Sequence, residues 1–314
     1  RSCGDMIGTM TKQTSAIEPD EGSRQSGWRD HSWFSADGVR LHARVYDPPA
    51  GTDSGALPII CIPGLTRNAR DFERLAPHLA RNRPVYAINL RGRGDSGYAK
   101  DAMSYLPITY VQDVLAMLDD LGIARAISIG TSLGGLVSML IAVMQPGRLA
   151  GVVLNDVGPE LDPAGLERIA SYVGQGGSHP TWVHAARAVA ITNAAVYPKW
   201  TLDDWLIMVK RSHRLTPEGL IVPDYDSNIA APIKMAAGQV APDMWPAFDA
   251  LADVPTLVLR GGISDILAAA TAKKMVKRLN NARLVTVPGV GHAPTLDEPA
   301  AVAAIDQLVD SITP

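Results

Sequence analysis

The chain has 314 residues, a formal net charge of −3 and 46% apolar side chains, enough to bury a large core. The near-neutral balance excludes the basic footprint of a nucleic-acid binder, and no run of like charge marks a membrane surface. With only Cys3 and Cys61, a disulfide framework and a cysteine zinc site are excluded as well, and a reduced, cytoplasmic setting is expected. Residues 1–27 are polar, lack an apolar signal-peptide core and read as a disordered arm. "WFSADGVRLHARVYDPP" alternates on both sides of Asp37-Gly38, the pattern of a β-hairpin. "LPIICIPG" is continuously apolar, as in a strand covered on both faces, and "ARDFERLAPHLARN" follows with helical spacing. "RPVYAINLRG" is the next strand, "TYVQDVLAMLDDLG" a helix stopped by Gly122, and "RAISIG", "SLGGLVSMLIAVMQPG" and "LAGVVLND" a strand, helix and strand.

The stretch 126–147 lacks charge, but its glycines and its change of period favour a buried strand followed by a buried helix over a membrane span. Strand–helix alternation with short connections predicts an α/β fold built on a mostly parallel, doubly wound sheet. The alternation breaks over 158–233, where "PAGLERIASYVG", "TWVHAARAVAITNAAVY" and "TLDDWLIMVKRSH" are helical, and returns with "VPTLVLRGG", "AAATAKKMVKRLN", "ARLVTVPG" and "PAAVAAIDQLVDSI". The expected organisation is therefore a core of 28–157 and 234–314 with a helical cap, 158–233, inserted into it.

"RGRGDSG" contains a literal G-x-G-x-x-G after a strand. A dinucleotide loop must open straight into a helix, whose N-terminus holds the pyrophosphate. Here "YAKDAMSYLPIT" intervenes, so the segment reads as a flexible loop beside a binding cleft, and no nucleotide cofactor is expected.

Gly130-Thr131-Ser132-Leu133-Gly134 is G-x-S-x-G between a strand and a helix. A sharp turn there raises the serine hydroxyl above the carboxyl edge of the sheet, with the positive end of the helix beneath it. A serine needs a base, which His292 in "PGVGHAP" offers, and the base needs an acid to fix its tautomer. Asp265 in "LRGGISDIL" is preferred for that part because its loop directly precedes the histidine unit, and Asp156 in "VVLNDVGP" is the alternative. The oxyanion donors expected are the backbone N–H groups of Leu133 and of Leu65, the latter in the "PGLT" loop. The remaining histidines show no metal-ligand spacing, and neither a metal nor an organic cofactor is expected.

These segments, "CIPGLTRNARDF", "NLRGRGDSG", "GTSLGG", "LVLRGGISD" and "GVGHAP", resemble the α/β-hydrolase superfamily over roughly 32–312, and its capped serine hydrolases in particular. One departure is Pro63 before Gly64, where many relatives have His-Gly. The resemblance implies attack on a carbonyl and an acyl-enzyme on Ser132, with a small, largely apolar ester or lactone as the substrate. C–C cleavage of a diketone by the same triad, and a non-catalytic small-ligand receptor, stay open as alternatives. In the cap, Trp182, Tyr197, Trp200 and Trp205 are the candidate pocket residues, and Arg187, Lys199, Lys210 and Arg211 are the cations able to pair with a substrate anion. A small molecule is the only partner expected, and the oligomeric state is not legible.

Overall fold

The computed structural model describes residues 27–52, 55–236 and 242–313; the expected N-terminal arm and Cys3 lie outside the described residues. The hairpin forms as β1 (Arg29–Phe34) and β2 (Arg40–Tyr46), and β3 (Ile59–Ile62) is fully buried. A 3₁₀ turn and the short α1 (Leu75–Leu79) lead to β4 (Val85–Asn89) and then α2 (Pro107–Asp120), which carries proline in its first turn. β5 (Ala126–Thr131), α3 (Leu133–Met144) and β6 (Leu149–Asn155) follow. The region that adds no strand to the main sheet holds α4 (Pro163–Tyr172), α5 (Trp182–Asn193), α6 (Leu202–Ser212), a small hairpin of β7 (His213–Leu215) and β8 (Ile221–Pro223), and α7 (Ala230–Ala236). That hairpin is too short to leave a periodic signal in the sequence. α8 (Trp245–Asp249), β9 (Thr256–Gly261), α9 (Ala269–Arg278), β10 (Ala282–Val287) and α10 (Pro299–Ser311) complete the fold.

The eight-stranded sheet has the order β1-β2-β4-β3-β5-β6-β9-β10. β2 runs antiparallel to both its neighbours, and every pair from β4 to β10 is parallel. Side chains alternate across the sheet, so Ile60 and Ile62 enter the core beneath α2, α3, α8 and α9, while Ile59 and Cys61 enter the core beneath α1 and α10. The carboxyl ends of β3, β5, β6 and β9 therefore open on one edge, and the insertion between β6 and β9 stands over it. No helix among the described residues is long and apolar enough to cross a membrane.

Candidate active site

The turn after β5 is forced by its glycines. A Cβ on Gly130 would lie 2.4 Å from the Gly134 carbonyl carbon, and one on Gly134 would lie 2.0 Å from the Ile62 oxygen. With both side chains absent, α3 packs against β3 and β5, and Ser132 is left with φ 51° and ψ −114°, a conformation that L-residues rarely adopt. Its N–H donates to the Asn155 carbonyl at 3.0 Å, and its carbonyl accepts from Gly135 and Leu136 in the first turn of α3.

The Ser132 hydroxyl lies 2.9 Å from His292 Nε2, and His292 Nδ1 lies 2.8 Å from Asp156 Oδ2. A carboxylate only accepts, so Nδ1 carries the proton and Nε2 is left free to accept from the serine. Asp156 is fully buried and, at φ 56°, is itself in the left-handed region. Its Oδ1 accepts from the Gly261 N–H at 2.7 Å and its Oδ2 from the Ser264 hydroxyl at 2.6 Å. The Ser264 oxygen in turn accepts from the N–H groups of Ile266 and Leu267, so its proton is directed to Asp156.

The expectation that Asp265 would face His292 is not met. Its carboxylate is held by Arg168 of α4, at 2.5 Å and 2.9 Å. Burial raises the Asp265 pKa, but the hydrogen bonds and charge of Arg168 outweigh that and leave it below the ordinary carboxylate value. Asp265 thus fastens the insertion to the core, and Asp156, the alternative, occupies the position beside the histidine.

The histidine loop is gripped from both sides. Asn155 donates to the Pro294 carbonyl at 2.9 Å, Tyr197 donates to the Ala293 carbonyl at 2.6 Å, and the Gly291 N–H donates to Val196 at 2.7 Å. On the opposite side, Arg67 N–H closes a turn on the Gly64 carbonyl, and the Leu65 carbonyl accepts from Arg93 Nε at 2.8 Å. Leu133 starts α3 directly after the serine, and Leu65 lines the same cavity as Ser132.

Arg93, whose place beside the candidate site the sequence reading missed, bonds to the Gly64–Arg67 turn. It is fully buried, donates also to the Arg91 carbonyl, and lies over the rings of Tyr105 and Tyr110. The "RGRGDSG" segment makes many bonds of its own: Arg91 is paired with Asp113 and Asp37, and the Ser96 hydroxyl donates to the Asn89 carbonyl. Gly92 O and Gly94 N–H bond to Asp226 and Asp224 of the insertion, fixing the loop between the Gly64–Arg67 turn and the insertion. The segment meets the cleft wall through the Arg93 bond to Leu65, and two of its three glycines, Gly92 and Gly94, take positive φ.

A cavity of about 670 Å³ opens over Ser132 and His292, between core and insertion. Tyr197 and Trp200 line it, stacked with ring centroids 3.8 Å apart. Trp205 and Trp182 instead pack the insertion's own apolar core with Ala185, Ala186 and Val209, because the edge contact of Trp205 on Trp200 turns it inward. Of the four candidate cations only Arg211 reaches the cavity, and Glu73 and Asp297 already hold it. The wall is also more polar than expected, since Arg67, Asp71 and His213 line it. Burial, then the charge of Arg67, lowers the pKa of His213 to about 4.

A model of the alpha/beta hydrolase family matches residues 59–305. The chain is an α/β-hydrolase. The crystal structure of an α/β-hydrolase from Novosphingobium aromaticivorans is similar to it at 53% identity, with a TM-score of 0.85 over 90% of this chain and 98% of that one. Among proteins of named activity, a 3-hydroxybutyrate-oligomer hydrolase of Cupriavidus necator is 34% identical over 279 residues, 85% of this chain and 93% of that protein. A 2-(acetamidomethylene)succinate hydrolase of Mesorhizobium japonicum is 27% identical over 73% of this chain and 79% of that protein. Hydrolase activity on esters or related substrates is what membership of this family and the named hydrolases support for the chain. Among the described residues, no cluster of three or more His, Cys, Asp or Glu side chains is arranged to hold a metal ion.

Proposed function

We propose that this α/β-hydrolase cleaves carboxylic esters through an acyl-enzyme on Ser132, with His292 as the base and Asp156 as the acid that orients it. The observation that carries the proposal is the unbroken hydrogen-bond run from the Ser132 hydroxyl through His292 to Asp156. In the first half-reaction, His292 Nε2 takes the serine proton as Oγ attacks the ester carbonyl. The oxyanion is met by the N–H groups of Leu65 and Leu133 at the positive end of α3. The imidazolium then protonates the departing alcohol, and an acyl-enzyme remains. In the second half, water loses a proton to His292, attacks the acyl carbonyl and releases the acid as Ser132 recovers its proton. The insertion serves as a cap that encloses a small substrate, and Tyr197 and Trp200 supply apolar wall for its body. The name of the 34%-identical relative favours short aliphatic esters, hydroxybutyrate oligomers among them.

A fluorophosphonate probe is expected to label Ser132. Ser132→Ala is expected to block labelling and to lower kcat on short-chain aryl esters by about 10⁴-fold or more. Labelling at another residue with hydrolysis retained in Ser132→Ala would falsify the assignment, and stoichiometric ligand binding without turnover would point to a receptor instead.

A further inference from the structure

We infer that the cavity selects esters carrying a free carboxylate, and that the end-on face of Arg67 holds that carboxylate; the inference rests on the ester-hydrolase reading and names its substrate class. Arg67 stands beside the reacting centre. The point where a Cβ on Gly64 would lie is 3.5 Å from Arg67 Cγ and 3.8 Å from Ser132 Cβ. From there the guanidinium extends along the cavity wall towards α6.

Asp71 grips that guanidinium side-on, with Nε at 2.8 Å and 3.2 Å and Nη2 at 2.5 Å from its oxygens. This leaves one proton of Nη1 and the second proton of Nη2 on the end-on face, while the other Nη1 proton points back towards Cδ. Among the described residues, the only acceptor in contact with Nη1 is the Met208 sulfur. A thioether is a weak acceptor, whereas two carboxylate oxygens match the planar fork of a guanidinium. Met208 is unbranched and rotatable, so it yields to a ligand at small cost.

The other acids that line the cavity make their bonds away from that face, although Asp297 Oδ1 and Glu298 Oε2 are buried without a hydrogen-bond partner. Asp297 is held by Arg211 at 2.9 Å and Arg74 at 3.6 Å, Glu298 accepts from Thr295, and Asp204 caps α6 through Thr201. The field of Arg67 reaches across the cavity, where it contributes to the lowered pKa of His213. A ligand carboxylate one short aliphatic unit from the scissile carbonyl fits this arrangement: the half-ester of a dicarboxylic acid, or the ester of a hydroxy acid.

The test uses two matched pairs. One is the 4-nitrophenyl ester of glutaric acid with its other carboxyl free or methylated. The other is the butyrate ester of 3-hydroxybutyric acid, as free acid or methyl ester. The wild type is expected to prefer the free acid in at least one pair by about tenfold or more in kcat/KM. The preference should collapse towards unity in Arg67→Met and be partly kept in Arg67→Lys. Arg67→Met combined with Asp71→Asn removes the ion pair without orphaning Asp71, and should lose the preference too. Equal rates for acid and neutral ester in both pairs, or a preference surviving in Arg67→Met or the double variant, overturns the inference and leaves the ester-hydrolase reading standing. Calorimetric titration of Ser132→Ala with the same compounds reads affinity without turnover. If the wild type cleaves neither ester while Ser132→Ala binds the acid more tightly and Arg67→Met abolishes that difference, the hydrolase reading fails and the carboxylate site stands. Equal affinities for acid and neutral ester in that titration overturn the site.

Discussion

Asp156 and Asp265 show how far single residues decide the site. Each follows a strand, and because β6 and β9 are adjacent in the sheet, both loops open on the same edge. The sequence carries both candidates, and the preference for Asp265, whose loop directly precedes the histidine unit, does not match the geometry. What separates them is tertiary: Asp156 takes a left-handed backbone and is fixed by Gly261 and Ser264, whereas Arg168, far away in sequence, claims Asp265. Ser132 and His292 were legible because the elbow glycines and the glycine-flanked histidine loop are local signals. Arg67 and Arg93 were not, since a buried arginine looks like an exposed one until its partners are known. Asp156→Asn is expected to keep the fold, present the wrong tautomer of His292 and lower kcat by about 10⁴-fold. Asp265→Asn should cost far less in kcat, its effect falling on the attachment of α4. Steady-state kinetics of the two purified variants check this, and the opposite ranking would restore Asp265 to the histidine.

At the scale of elements, the loop after β4 connects parts of the molecule that the sequence shows only as separate segments. Strand and helix positions were read well because each has its own period and glycine or proline punctuation. The "RGRGDSG" loop has no period, and its meaning lies in what it touches. Arg93 fixes the Leu65 carbonyl, while the backbone at Gly92 and Gly94 bonds to the segment at Asp224–Asp226. Arg93→Met should therefore loosen the turn that presents the Leu65 N–H. An oxyanion donor acts in the transition state far more than on the bound ester, so kcat should fall by about tenfold or more with KM little changed. Arg93→Lys, which keeps one donor near the Leu65 carbonyl, should recover part of the rate. A fall in thermal stability with kcat intact would make Arg93 a purely structural residue.

At the scale of the whole molecule, stability and activity meet at the junction between core and insertion. His213 is buried there, faced by His179, Arg67 and Arg70, with the Ser212 hydroxyl beside its Nδ1. Burial above all, then those charges, lowers its pKa from 6.5 to about 4. The unfolded chain takes up this proton near pH 6.5 and the folded chain only near pH 4. Its contribution is thus fully present above pH 6.5 and lost as the pH falls through that window, on the order of 3 kcal/mol. His213→Asn should flatten the decline of Tm between pH 6.5 and pH 4 relative to the wild type, and an unchanged pH profile would show that His213 protonates freely in the fold. The junction has one more consequence. The chain leaves the sheet at Asp156 and returns through β9, and Asp156 itself bonds to both Leu259 and Gly261 of that returning strand. The excursion between them is therefore closed at its base by the core itself. A change of length within it should leave Asp156 in register beside His292, provided that the contacts of Val196 and Tyr197 with the histidine loop are kept.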